Sequence, residues 1–249
     1  MSAKPTPKRL DALLVERGLV DSVAKAQAMI LAGEVSVDGV RANKAGTRFP
    51  LEARIEVTTR AGKFVSRGGL KLEGALDDFA IDPAACICLD VGSSTGGFTD
   101  CLLQRGAARV YAVDVNVDQL AWKLRQDSRV IRISRNARNL RPTDIPDPID
   151  LVAIDVSFIS VTKVLPSAVA VARPSADLLI LVKPQFELPR QDVGPGGIVS
   201  DPLLHQKAIA AVSESATQLQ LKILRVSPSH LPGAEGNQEY FLHARKPVR

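Results

Sequence analysis

The stretch Asp90-Val-Gly-Ser-Ser-Thr-Gly-Gly-Phe-Thr99 decides the fold of the larger part of this chain. The apolar, β-rich run Ile87-Cys-Leu-Asp-Val91 leads into it and a helical segment near 97–106 follows, which predicts a strand, a glycine-bearing turn and a helix. Because glycine has no Cβ, the backbone of such a turn can bend tightly and approach a ligand closely. In a sheet of parallel strands this turn lies at the carboxyl end of a strand, where ligands bind.

The same alternation of short apolar runs and helical segments continues along the chain. Further strands are predicted at 109–113, 130–133, 151–154 and 178–182, and further helices near 117–126, 161–172 and 202–219. Continuous apolar strands separated by helices are typical of a parallel sheet that is covered on both faces. The last two runs, 222–226 and 239–243, have only a loop between them and predict a closing antiparallel hairpin. The predicted fold class is α/β, with a Rossmann-like sheet.

A separate, small α+β unit is predicted ahead of this sheet. A leucine stripe from Leu10 to Leu14 predicts one short helix, which Gly18 ends, and Asp21 or Ser22 can cap a second helix. The run Val35-Ser-Val-Asp-Gly39 predicts a strand that enters a tight hairpin turn. Two short helices and a few strands bury little surface, so the unit is expected to be shallow.

Positive charge is concentrated in this N-terminal part. Residues 1–71 carry 13 Lys and Arg against 7 Asp and Glu, whereas residues 72–249 carry 19 against 20. A small basic module on a nearly neutral body favours a polyanionic partner, with nucleic acid as the leading candidate. The alternative is a solvated basic surface that binds nothing.

Composition narrows the class of protein further. The chain is 45% apolar and has only three cysteines, which are too few for a disulfide framework and have no spacing that suits zinc. It contains no run of about 18 apolar residues, as a membrane span requires, and no apolar segment behind its N-terminal charges. We therefore expect a cytoplasmic protein with no membrane span and no metal site.

Carboxylates near the glycine-bearing turn favour one class of ligand. A dinucleotide site needs a glycine where this chain has Ser94, and Asp90 before the turn repels phosphate but suits a ligand with an ammonium and a sulfonium group, such as S-adenosylmethionine. Asp114 ends the next strand, where a carboxylate can accept both ribose hydroxyls, and Asn136 can contact the adenine. The alternative is that Asp90 only caps a helix and Asp114 only ends a strand. The predicted cofactor contacts are Asp90, Gly92, Ser93, Ser94, Thr95, Gly96, Gly97, Phe98, Asp114 and Asn136.

Three ionisable residues are predicted at strand ends on the same rim of the sheet, namely Asp155, Lys183 and Glu239. A lysine directly after five apolar residues is not expected to be a solvated surface charge. Burial and a neighbouring cation both disfavour the ammonium form, so Lys183 near Lys71 can titrate low enough to act as a base. Asp155 and Glu239 would then orient that amine and keep Lys71 charged. A base beside a sulfonium methyl group indicates methylation of a hydroxyl, and the alternative for each residue alone is a strand-end ion pair.

Motifs in both parts of the chain resemble those of known families. Arg9-Leu-Asp11, Gly18, Gly33 and Asp38-Gly39 resemble the S4 RNA-binding domain, and residues 66–245 look like the FtsJ-type ribose 2′-O-methyltransferases. Taken together, the chain resembles the haemolysin A (TlyA) family of rRNA cytidine-2′-O-methyltransferases. The matching segments of the larger part are Ser66-Arg-Gly-Gly-Leu-Lys71, Ser94-Thr-Gly-Gly-Phe-Thr99, Asn136-Ala-Arg138, Asp155-Val-Ser-Phe-Ile-Ser160, Val182-Lys-Pro-Gln-Phe-Glu187, Val193-Gly-Pro-Gly-Gly197 and Gly236-Asn-Gln-Glu-Tyr-Phe241.

The resemblance implies an activity and the residues that carry it. It implies S-adenosyl-L-methionine as cofactor, no metal, and a Lys-Asp-Lys-Glu tetrad of Lys71, Asp155, Lys183 and Glu239 in which Lys183 is the base. The implied substrate is the 2′-hydroxyl of a cytidine in rRNA. The 23S rRNA is favoured because the chain ends soon after its last strand, as the family's shorter form does, and the 16S rRNA is the other possibility.

The resemblance also implies partners and domain limits. An S4-like domain is expected over 1–58, a linker over 59–66 and an FtsJ-type methyltransferase domain over 67–249. Ribosomal RNA or ribosomal subunits are the expected partners, and the sequence does not determine the oligomeric state. The predicted RNA contacts are Arg9, Arg17, Lys25, Arg41, Lys44 and Arg67.

Two features after the strand ends have alternative interpretations. Phe158 can stack on the target base or pack in the core, and the glycine-rich segment 184–201 can be a lid, an RNA-contact loop or a surface insertion. Rival functions are a non-enzymatic RNA-binding protein with a retained cofactor fold, an NAD-dependent oxidoreductase and a membrane-lysing protein. The filled tetrad positions oppose the first, Ser94 opposes the second, and the absence of a membrane span and an export signal opposes the third.

Overall fold

The computed structural model describes residues 7–20, 22–31, 33–57, 63–233 and 235–248. These residues belong to two compact units, Met1–Gly62 and Lys63–Arg249. Among the described residues, the N-terminal unit has one hydrophobic core and the C-terminal unit has two.

Within the described residues, the N-terminal unit contains two helices and two small antiparallel sheets. Its elements are the helices α1 (Leu10–Glu16) and α2 (Val23–Leu31) and the strands β1 (Lys8–Arg9), β2 (Val35–Val37), β3 (Val40–Arg41), β4 (Arg48–Phe49) and β5 (Ile55–Val57). Strand β1 pairs with β4, and β2 lies between β3 and β5. The apolar faces of α1 and α2 meet the sheet in a core that includes Leu10, Leu14 and Ile30. The predicted α+β unit is therefore confirmed.

Local signals in this unit act as the sequence predicts. Gly18 follows α1 in the left-handed region at φ +66°, where glycine is unstrained. The Lys25 N–H donates to Ser22 Oγ at 3.2 Å near the start of α2, whereas the alternative cap Asp21 lies outside the described residues. Asp38 and Gly39 have φ values of +51° and +80° between β2 and β3, as a tight hairpin turn requires.

The C-terminal unit alternates helices and strands. Its helices are α3 (Arg67–Phe79), α4 (Gly97–Gln104), α5 (Trp122–Arg125), α6 (Leu165–Val171), α7 (Pro184–Glu187) and α8 (Pro202–Gln218). Its strands are β6 (Ile87–Val91), β7 (Arg109–Asp114), β8 (Val130–Ser134), β9 (Ile149–Ile154), β10 (Ala172–Val182), β11 (Lys222–Pro228) and β12 (Tyr240–Arg245). All seven predicted strands are present. Six lie within two residues of their expected limits, whereas β10 begins at Ala172, six residues before its expected start at 178.

These strands form one sheet in the order β11-β12-β10-β9-β6-β7-β8. Strands β6 to β10 are parallel, and β12 pairs antiparallel with both β10 and β11, so the predicted closing hairpin is confirmed. One hydrophobic core lies between the sheet and helices α6 and α8, and a second lies between the sheet and helices α3, α4 and α5. The connection after β6 runs to β7 and the connection after β9 runs to β10, in opposite directions along the sheet, which opens a crevice at the carboxyl ends of β6 and β9.

Helix α3 begins inside a stretch whose composition suggests a linker. Residues 58–70 are polar and bear glycines, but α3 begins at Arg67. The glycines that suggest a linker are packing positions instead, since a Cβ on Gly69 would lie 2.3 Å from the ring of Phe64. The predicted helices near 117–126 and 161–172 are also broken, each into a 3-10 turn followed by α5 or α6.

Within the ranges that the structure describes, no helix combines the length and the hydropathy needed to cross a bilayer.

Candidate active site

The turn after β6 packs tightly against the segment that follows β9. Gly92 lies in the left-handed region at φ +88°, and a Cβ there would stand 2.1 Å from the backbone oxygen of Asp155. Gly97 opens α4, and its Cβ would stand 2.2 Å from Ser66 Oγ. Side chains at these two positions would therefore push apart the segments that present Asp155 and the start of α3.

Asp90 lies fully buried beneath the turn. Its Oδ2 accepts hydrogen bonds from Thr99 N–H at 2.9 Å and from Thr99 Oγ1 at 2.6 Å. Its Oδ1 and the Oγ of Ser93 are buried and have no hydrogen-bond partner among the described residues. Burial raises the pKa of Asp90 to about 7, and the neighbouring carboxylate of Asp155 acts in the same direction. Two unsatisfied oxygens in a buried turn suit a ligand that brings donors or positive charge.

Asp114 and Asn136 lie on an adjoining cleft of about 600 Å³, together with Gly92, Ser94 and Asp155. The Ser94 N–H donates to Asp114 Oδ2 at 2.9 Å, and Ser94 adopts a left-handed φ of +46°. Asn136 Oδ1 accepts from Arg138 N–H at 3.1 Å, and no described residue accepts a hydrogen bond from the Asn136 amide nitrogen. The predicted ribose and adenine contacts therefore lie side by side.

The other predicted cofactor residues fall into two groups. A smaller cavity next to the cleft is lined by Gly92, Ser93, Ser94, Thr95, Gly97 and Phe98, and by Lys71 and Asp155. Asp90 and Gly96 line neither cavity. Asp90 lies behind the turn, and Gly96 lies where a Cβ would meet Leu124 at 2.2 Å, so these residues shape the turn from below.

The four predicted catalytic residues form two ion pairs. Lys71 Nζ lies 2.5 Å from Glu239 Oε2, and Lys183 Nζ lies 2.5 Å from Asp155 Oδ1. Each lysine is only 8% exposed and Glu239 only 2%. The sequence predicted that Asp155 and Glu239 would orient the Lys183 amine and keep Lys71 charged, and here Asp155 pairs with Lys183 and Glu239 pairs with Lys71. Ser157 is a partner that the sequence analysis missed, since its Oγ accepts from Lys183 Nζ at 2.8 Å.

Sheet register explains how residues far apart in sequence meet. Asp155 directly follows β9 and Lys183 directly follows β10, which pair in parallel. Val182 is opposite Tyr240 in the antiparallel pair of β10 and β12, so Lys183 and Glu239 leave the sheet at the same edge. Lys71 comes from the middle of α3, and both Lys71 and Asp155 line the smaller cavity. Both ion pairs therefore flank the glycine-bearing turn.

The segment 184–201 is tied to the loop that carries Glu239. Asn237 is 1% exposed, its Nδ2 donates to Gly197 O at 2.8 Å and its Oδ1 accepts from Val199 N–H at 2.8 Å. Asn237 is a second residue that the sequence analysis missed, although it lies within a motif that the family resemblance includes. Its contacts show that the end of this segment supports the loop that carries Glu239.

Phe158 does not pack in the core. It is 92% exposed, its φ of +64° is strained for a bulky residue, and its ring centroid lies 5.4 Å from that of Phe186. Such a conformation costs about 1–3 kcal/mol and occurs mainly at functional sites. The core-packing alternative is therefore wrong, and an aromatic ring projects beside the catalytic pairs.

The predicted RNA contacts differ in their surroundings. Arg9 pairs with buried Asp11 at 2.6 Å, and Arg17 donates to Ala53 O at 2.8 Å and to Leu51 O. These two arginines stabilise the N-terminal unit itself. The Arg41 guanidinium lies where a Cβ on Gly33 would stand.

All six of these basic residues, Lys25 included, are solvent-exposed. Lys44 is exposed in the N-terminal unit. Arg67 is exposed, donates to Pro232 O at 3.1 Å and lines the smaller cavity with Lys71. Arg67 is therefore the predicted RNA contact that lies next to the catalytic pairs.

The C-terminal unit contains a second basic region, which the charge total for residues 72–249 conceals. Residues 121–141 carry seven Lys and Arg against one acidic residue, within a C-terminal part whose net charge is near zero. They include α5, the edge strand β8 and the turn after it. Arg135 and Arg138 line the larger cleft. Arg135 pairs with Asp144 at 2.9 Å, whereas no ion pair of Arg138 is found among the described residues, so Arg138 is the cation of this region that faces the cleft without a carboxylate partner.

Family models match both parts of the chain. A model described as FtsJ-like methyltransferase matches residues 64–246, and a model described as S4 domain matches residues 8–55.

Individual proteins are similar to most of the chain. A Mycobacterium tuberculosis protein named 16S/23S rRNA (cytidine-2′-O)-methyltransferase TlyA is 49% identical over 239 residues, which are 95% of this chain and 89% of that protein. A solved structure from Streptococcus thermophilus, named as a hemolysin, has a TM-score of 0.76 at 37% identity and covers 98% of this chain and 90% of the other. An S-adenosylmethionine-dependent methyltransferase from Mesorhizobium loti has a TM-score of 0.53 at 13% identity, over 71% of this chain and 98% of the other, which is a likeness in fold alone.

Proposed function

Because the chain belongs to the FtsJ-like methyltransferase family and carries an S4 domain, we propose that it methylates the ribose 2′-hydroxyl of a cytidine in ribosomal RNA. The observation that carries the proposal is the pair of buried lysine–carboxylate contacts beside the glycine-bearing turn. The 23S rRNA is the substrate to test first and the 16S rRNA the second. Such a substrate would place the enzyme with ribosomes in the cytoplasm.

The residues of the turn fit S-adenosylmethionine. The buried Asp90 Oδ1 and Ser93 Oγ lack partners among the described residues, and Gly92, Ser93 and Ser94 line the smaller cavity beside Lys71. Asp114 and Asn136 would hold the adenosine part of the cofactor in the larger cleft. When bound, S-adenosylmethionine supplies a methyl group on a positively charged sulfur, and a carboxylate below the turn favours that charge.

The catalytic pairs would then act on the ribose. We assign Lys183 as the general base, which would accept the proton of the 2′-hydroxyl as O2′ bonds to the methyl carbon and the bond from that carbon to sulfur breaks. Asp155 and Ser157 hold the Lys183 side chain and stabilise the ammonium group that results. Lys71, paired with Glu239, places a positive charge that favours negative charge developing on O2′. The protein supplies orientation and charge placement.

The proposal is tested by methyl transfer to separated ribosomal subunits that lack the modification. Wild-type protein with labelled S-adenosylmethionine is expected to label the large subunit, and label on the small subunit would extend the substrate to 16S rRNA. Mapping by reverse transcription that is sensitive to ribose methylation should place the label at a cytidine. Cofactor binding without label on either subunit would refute the rRNA substrate.

Replacing Phe158 with alanine is expected to weaken RNA methylation without loss of fold. Stacking of a base on an aromatic ring contributes about 1–3 kcal/mol, so kcat/KM for the RNA should fall roughly 5- to 100-fold. The ring is almost fully exposed, so the melting temperature should be little changed. Phe158→Tyr keeps the ring and is the control. Equal rates for wild type and Phe158→Ala would contradict a stacking role.

Binding of S-adenosylmethionine is expected to weaken as the pH falls below about 7. Asp90 has its pKa raised to about 7 by burial, and its ionised form favours a cationic ligand. Protons then compete with the ligand, so the affinity should fall by up to about tenfold per pH unit between pH 7 and 5.5. Calorimetric titration measures the affinity, and Asp90→Asn should give a flatter profile of affinity against pH.

The raised pKa of Asp90 also affects the stability of the ligand-free protein, which should fall as the pH rises from about 4 to 7.

A further inference from the structure

Glu187 holds the segment after β9 against the helix after β10. It is the last residue of α7, four residues after Lys183. Its carboxylate accepts hydrogen bonds from Ser160 Oγ at 2.5 Å and from Val161 N–H at 2.8 Å. Ser160 Oγ in turn accepts from Thr162 N–H at 3.2 Å and so caps the 3-10 turn at Val161–Lys163. One carboxylate thus fixes the end of the segment 157–161.

The start of the same segment is fixed by the catalytic lysine. Ser157 Oγ accepts from Lys183 Nζ at 2.8 Å. Because Lys183 and Glu187 both belong to the stretch that leaves β10, this one stretch holds the segment 157–161 at both ends. Between the two attachments, the backbone of Phe158 takes its strained left-handed conformation and its ring contacts Phe186. Strained conformations of this kind persist only where the surroundings fix them at several points.

The surroundings of Glu187 set it apart from a surface carboxylate. No lysine, arginine or histidine of the described residues forms an ion pair with it. Burial is the main influence on the group and raises its pKa, whereas the hydrogen bonds from Ser160 and Val161 oppose that shift. A half-buried carboxyl group with no cation partner is unfavourable for stability by itself. Its contacts go to the segment that presents Phe158.

We infer that Glu187 is a positioning residue for the target nucleotide: it fixes the segment 157–161 so that the Phe158 ring projects beside Lys183. The inference rests on the proposed function, because the projecting ring is assigned to the target base. Glu187 itself does not contact the substrate. Its effect on RNA methylation should therefore pass through Phe158.

A double-mutant cycle tests this dependence. Glu187→Ala should lower kcat/KM for the RNA roughly 5- to 100-fold, as Phe158→Ala does, because both lose the stacking platform. The double variant Glu187→Ala/Phe158→Ala should be no slower than Phe158→Ala alone. Glu187→Gln should recover most of the rate, since its amide can accept from Val161 N–H and donate to Ser160 Oγ. Glu214→Ala, at an exposed position on α8, is the control.

Hydrogen exchange gives a readout that does not depend on activity. Amides of 157–161 should exchange faster in Glu187→Ala than in wild type, and Glu187→Gln should restore their protection. Multiplied losses in the double variant, or a wild-type rate for Glu187→Ala, would overturn the inference. Unchanged exchange in Glu187→Ala would overturn it too, even if no RNA substrate were found. A wild-type protein that methylates no rRNA would instead refute the proposed function.

Discussion

Replacing Lys183 with alanine is expected to lower methyl transfer to rRNA by about 10²- to 10⁴-fold, the usual contribution of a general base. The amine lies at the carboxyl end of β10, paired with Asp155 and bonded to Ser157, next to the cavity that the turn after β6 lines. Binding of S-adenosylmethionine should persist, because Lys183 lines neither the larger cleft nor the smaller cavity. The measurement is single-turnover transfer of labelled methyl groups, with cofactor affinity determined separately.

Two comparisons make this result specific. Lys222→Ala removes an exposed lysine at the start of β11, which is an edge strand of the sheet. This change should leave methyl transfer unchanged. Lys183→Arg keeps the positive charge but cannot shed a proton at neutral pH, so it should be as slow as Lys183→Ala. If Lys183→Arg were as active as wild type, Lys183 would act through its charge and another group would have to accept the proton.

The architecture was predictable because its signals are local. Apolar runs with β-rich composition mark buried parallel strands wherever they occur, and each predicted strand was found. The strand-end positions of Asp155 and Lys183 follow from the same pattern. The start of α3 was not predictable in this way, because a glycine at a close helix contact and a glycine in a linker have the same sequence signature.

The partners of the site residues depend on register and loop conformation, which no local pattern encodes. The pairing of Lys71 with Glu239 and of Lys183 with Asp155 follows from which strands are neighbours and how they are staggered. Glu187 contacts Ser160 and Val161, which precede it in the chain by 27 and 26 residues. Phe158 was open to two interpretations because an aromatic residue after a strand is as compatible with the core as with a binding surface.

Substitutions in the Lys71–Glu239 pair are expected to change stability and catalysis to different extents. Lys71→Met removes one partner and leaves the Glu239 carboxylate buried without a cation, which should destabilise the protein by about 3–5 kcal/mol. Lys71→Met/Glu239→Gln leaves no charge at the site. Replacement of a whole buried ion pair by neutral groups is often close to neutral in stability, so the double variant should unfold at nearly the same denaturant concentration as wild type.

Methyl transfer should not recover with stability in that double variant. If Lys71 favours negative charge on O2′, its loss removes an interaction of the transition state that a neutral side chain cannot replace. Denaturant unfolding and single-turnover methylation on the same three proteins measure the two effects. A double variant that is both stable and fully active would make this pair a structural contact and leave Lys183 and Asp155 as the catalytic ion pair. A stable but inactive double variant would show that the buried Lys71 charge is retained for the reaction.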